Sequence, residues 1–80
     1  MLRVSKNTRL TRAKIIAKAE KFFGREGECL VPKNRTPCCL SFEGGGGYVV
    51  ITIVEEQKVR MVDVETKEFD YQAKRFLELL

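Results

Sequence analysis

Tyr48-Val49-Val50-Ile51-Thr52-Ile53-Val54-Glu55 is β-branched almost throughout and holds the longest unbroken apolar run of the chain, residues 48–51. Branching at Cβ restricts χ1 against a helical turn but packs well on a pleated surface, so 48–55 reads as a strand. Side chains alternate across a strand, which puts Val49, Ile51 and Ile53 on one face and Tyr48, Val50 and Val54 on the other. A sheet covered on one side is polar on the other. The second apolar face therefore calls for a cover of its own, either a second copy of the chain or a small apolar ligand.

The flanking segments supply the neighbours of this strand. Residues 38–43 alternate Cys38, Leu40 and Phe42 against Cys39, Ser41 and Glu43, and the four glycines 44–47 punctuate the passage into 48–55. Upstream, 28–31 reads as a short strand, and 32–37 is turn chemistry bracketed by Pro32 and Pro37. Downstream, Glu56-Gln57 is a tight reversal and 58–65 a fourth strand. Connections this short force antiparallel pairing between neighbours, hence a meander.

Helices flank the strands. Over 8–23, Ile15, Ile16, Ala19, Phe22 and Phe23 recur at helical spacing, with Thr8 and Thr11 both acceptable N-caps and Gly24 a natural stop. Over 67–79, Phe69, Ala73, Phe76, Leu77 and Leu80 share a face, with Thr66 as the expected N-cap. The expected fold is α+β: a two-layer α-β-β-β-β-α domain spanning 1–80, its four-stranded antiparallel meander carrying both helices on one face. Phe22, Phe23, Phe69 and Phe76 should then meet Ile51 or Val50 in one core.

Phe22-Phe23-Gly24, Phe42-Glu43-Gly44-Gly45-Gly46-Gly47-Tyr48-Val49 and Val64-Glu65-Thr66-Lys67-Glu68-Phe69-Asp70-Tyr71 together resemble short uncharacterised bacterial or archaeal α+β proteins. The likeness spans most of the chain, rests on fold-defining residues and implies no activity. The layout is also similar to helix-grip and TATA-binding-like folds, which implies a curved sheet and a long last helix.

Eighty residues accommodate one core. With 44% hydrophobic and 32% charged residues, the composition is that of a globular domain. The apolar runs are too short for a transmembrane helix, and Met1-Leu2-Arg3-Val4-Ser5-Lys6 has no signal-peptide stretch, so a cytoplasmic protein without membrane contact is expected. There is no histidine, which removes the commonest general base and metal ligand. Asp63 and Glu65 share a strand face, yet the sequence supplies them neither a second partner nor an apolar pocket, and Ser5 and Ser41 lack a histidine partner. The balance leans away from an enzyme, with no catalytic residue and no cofactor. Cys29, Cys38 and Cys39 miss zinc spacing and suit apolar packing, so no metal is expected.

The charge is uneven. Residues 1–40 carry ten Lys/Arg against three acids, while 41–80 carry five against eight. Lys14, Lys18, Lys21 and Arg25 recur at i, i+4, i+7 and i+11, within about 60° of one another and roughly 130° from the apolar stripe. Arg9 and Arg12 fall in the first turns of the expected helix, where positive charge opposes the dipole and exposed N–H groups favour anions. These six residues form a candidate surface for nucleic acid or another polyanion. A solvated helix that only keeps the protein dissolved accounts for the same row. The competing class of function is a homodimerising protein-interaction or small-ligand module that uses the open sheet face.

Overall fold

The computed structural model describes residues 2–24, 27–28, 30–36 and 39–80. The elements run β1 (Leu2–Thr8), α1 (Arg12–Phe23), β2 (Val31–Arg35), β3 (Cys39–Gly44), β4 (Gly47–Glu56), β5 (Val59–Lys67) and α2 (Asp70–Glu78). The fold is α+β, with two helices and an antiparallel sheet of order β1-β5-β4-β3-β2.

The sheet has five strands where the sequence pattern predicts four. The added strand is β1, which pairs with β5 along its whole length, from Leu2 opposite Thr66 to Thr8 opposite Arg60. Only Leu2 and Val4 mark it as apolar, and its partner lies some sixty residues away, so no local periodicity announces it. The expected start of the first helix at residue 8 is corrected for the same reason. Thr8 ends the strand and its Oγ1 accepts the Leu10 N–H at 3.2 Å, whereas Thr11 caps α1 by accepting the Lys14 N–H at 3.3 Å.

The expected turn over 32–37 is strand β2 as far as Arg35. Pro32 is tolerated because β2 is an outer strand, and the register with β3 shifts between Pro32 and Asn34, leaving Lys33 as a bulge. Cys29, Pro37 and Cys38 lie outside the described residues. The glycine run closes the β3–β4 hairpin. Gly44 pairs with Gly47, and Gly45 and Gly46 both take positive φ, as a two-residue type I′ turn demands.

The last helix also begins later than its pattern suggests. Thr66 is no cap: it is fully buried within β5, opposite both Val49 and Leu2, and its Oγ1 donates to the Tyr48 carbonyl at 2.8 Å. Pairing on both sides holds β5 extended through Thr66, pairing with Tyr48 carries it to Lys67, and Glu68, at φ 77°, turns the chain into α2.

One buried cluster joins Ile15, Ala19 and Phe23 of α1, Ala73, Phe76 and Leu77 of α2, and alternate residues of the three inner strands. Those strand residues are in register: Leu40, Ile51 and Val64 form one row, and Phe42, Val49 and Thr66 the next. Phe23 stacks against Phe76 and Phe42 at ring distances of 5.3 and 5.7 Å, and Phe22 approaches Phe76 at 5.9 Å. Ile51 belongs to this core, as expected. Val50 does not, because it points to the opposite face and is half-buried, and Phe69 only borders the cluster.

Candidate nucleic-acid interface

Helix α1 buries the stripe of Ile15, Ala19 and Phe23 and turns Ala13, Lys14, Ala17, Lys18 and Lys21 to solvent. The lysines form one outward row because their spacings of four and three residues bring them back to the same side of the helix. Ala13 and Ala17 leave the row sterically open. None of Lys14, Lys18 and Lys21 has an ion pair among the described residues. The one acid of α1, Glu20, lies half-buried off the row and meets Arg35 of β2 at 3.4 Å.

The arginines at the helix start are placed differently. Arg12 is the first residue of α1, whose first turn holds no acid, and Glu55 from the end of β4 supplies the missing negative charge. A Glu55 carboxylate oxygen lies 2.6 Å from Arg12 Nη2, and the other lies 3.8 Å from Arg60 Nη2. The Nε–H groups of Arg12 and Arg60 are buried and meet no acceptor among the described residues. Arg60 Nη1 donates to the Arg9 carbonyl at 3.5 Å, while the Arg9 side chain is exposed. Two guanidiniums thus share one carboxylate where the β4–β5 hairpin meets α1. Sequence pattern alone missed Glu55 and Arg60, since only the sheet register brings that hairpin to the helix. Arg25 lies outside the described residues.

Beside Lys18 and Lys21, a groove of about 360 Å³ runs past Phe22, Gly27, Glu28 and Leu79. Leu79 is half-exposed there, so the lysine row borders apolar surface together with the exposed carboxylate of Glu28. The glycine hairpin joins two strands, not a strand and a helix, and so lacks the geometry of a phosphate loop. Lys33 near it is already 3.8 Å from Glu43.

The carboxylates of β3 and β5 lie on the other side. By register, Glu43 and Tyr48 share a row on the sheet face opposite the buried one, as do Glu65 and Val50, and Asp63 and Thr52. Asp63 accepts from Arg3 Nε at 2.9 Å. Tyr71 is exposed on α2 and Tyr48 half-buried on β4, far from forming a continuous aromatic platform. Among the described residues no group of three or more His, Cys, Asp or Glu is arranged to hold a metal ion, and no helix is long and apolar enough to cross a membrane. The chain matches no family model and no curated protein.

Proposed function

We propose that the protein is a small cytoplasmic domain that binds nucleic acid or another polyanion, weakly and without base reading, through the outward row of α1. The observation that carries this is the row itself: Lys14, Lys18 and Lys21 are exposed and unpaired among the described residues, on a helix whose single acid is engaged elsewhere. Arg9 extends the surface, and Arg25 is included on its sequence position. Arg12 contributes less, because Glu55 already neutralises part of its charge. The reading takes both helices to lie on one face of the sheet, which their shared buried cluster supports. Lysine ammoniums act here as point charges that release counterions from phosphates, a mechanism indifferent to sequence.

Binding should weaken steeply with salt, and each lysine removed should lower the slope of log K against log salt by roughly 0.7–0.9. Anisotropy titrations of labelled single- and double-stranded DNA and RNA, at low and moderate salt, test this. A Lys14/Lys18/Lys21→Glu variant that binds like the wild type at low salt rejects the reading. A second reading, a module that pairs or takes a ligand through the open sheet face, is favoured by Tyr48 and Val50, half-buried, and by Val54 and Met61, exposed, all on that face.

A further inference from the structure

The two edges of the sheet are not alike. Both edges carry two exposed cations, Lys33 and Arg35 on β2 and Arg3 and Lys6 on β1, but only β2 adds a length of five residues, a proline without an N–H and a bulge at Lys33. Strand β1 at the other edge is seven residues long, contains no proline or glycine, and pairs with β5 without any shift of register. Among the described residues its backbone makes hydrogen bonds to β5 alone, so the outer row of N–H and C=O groups is unspent. Arg3, Ser5, Lys6 and Asn7 are exposed along it. An open edge of this kind recruits an extended strand.

We infer that the occupant is β1 of a second copy, paired antiparallel about a twofold axis at Ser5. That register sets Ser5 opposite Ser5, Arg3 opposite Asn7, Val4 opposite Lys6 and Leu2 opposite Thr8. No two like charges meet directly, and Arg3 is already neutralised by Asp63. Moving the axis to Lys6 would oppose two ammoniums. The contact is isologous, and each chain has one open edge and one blocked edge, so association stops at the dimer and does not grow into fibres. The pair shares a continuous ten-stranded sheet with the helices of both copies on the same side. This inference does not rest on polyanion binding.

Sedimentation of the full chain from low to high micromolar concentration reads the association. Along a strand, successive N–H groups alternate between the two neighbours, so one of Ser5→Pro and Lys6→Pro loses no bond to β5 while blocking the outer edge. That variant should stay folded and sediment as a monomer. A Ser5→Lys/Asn7→Lys variant, which places like charges opposite one another at three points, should weaken association about tenfold or more with little change in melting. Amide exchange in β1, but not in β2, should slow as protein concentration rises. A wild type that stays monomeric overturns the inference, as does a dimer that survives all these changes. A dimer lost on Val54→Lys and kept in the β1 variants assigns the contact to the sheet face instead.

Discussion

Gly47 illustrates how a single missing methyl group sets local structure. It is buried at the start of β4, and a Cβ there would lie 2.2 Å from the Lys67 carbonyl oxygen and 2.7 Å from the Glu68 Cβ. The backbone of the β5–α2 link can approach only because no side chain intervenes. Gly47→Ala should therefore cost about 3 kcal/mol or slightly more, at the upper end for a forced extra methyl, and thermal melting measures it. Gly45 and Gly46, the two preceding residues, have open space around them and are held by φ alone. Thr66 makes a complementary point: a hydroxyl in the core is tolerated because the Tyr48 carbonyl accepts its hydrogen bond.

Helix α1 is positioned by both of its ends. Thr11 caps its start, Glu55 offsets the arginine in its first turn, and the Gly24 N–H closes its last turn on the Glu20 carbonyl. The Arg12–Glu55 pair is more than a third exposed on both sides and contributes little to stability, about 0–1 kcal/mol. Its consequence is for charge. Glu55→Gln releases Arg12 and Arg60 from their shared carboxylate, so polyanion affinity at low salt should rise about two- to fivefold and the salt slope steepen by up to roughly 0.9. The anisotropy titration that tests the lysine row measures this as well. An unchanged slope would put the two arginines off the path of the ligand.

The core of the molecule converges on Phe76, which is fully buried and touches the rings of Phe22 and Phe23. Cutting it back to alanine leaves a cavity in the buried cluster. Phe76→Ala should cost about 3–5 kcal/mol, a large share of the stability of a domain this small, and denaturant unfolding should show the midpoint collapse. A cooperative variant with unchanged melting would contradict the packing described. The charges also divide: Lys14, Lys18 and Lys21 are exposed on α1 with no ion pair among the described residues, and Glu43, Asp63 and Glu65 lie on the sheet face opposite buried Val49, Ile51, Val62 and Val64.

Local pattern was enough for α1, α2, β3, β4 and β5, because each repeats apolar residues at a helical or strand period within one window. The lysine row was legible for the same reason, since a helix fixes which residues share a side. What pattern could not carry was the pair of outer strands. β1 is mostly polar and β2 holds a proline and is exposed throughout, so neither shows a strand period; β1 is extended because the remote β5 satisfies its backbone groups, and β2 because it pairs with the neighbouring β3 around a bulge. The ends of the helices moved with them: Thr8 and Thr66 suit a cap by residue type, but pairing with β5 in one case and within β5 in the other claims them for the sheet. The Arg12–Glu55–Arg60 contact followed likewise from register. Periodicity reports what a residue does with its neighbours in the chain; which strand lies beside which is a property of hydrogen bonds closed across sixty residues, and those exist only in the folded molecule.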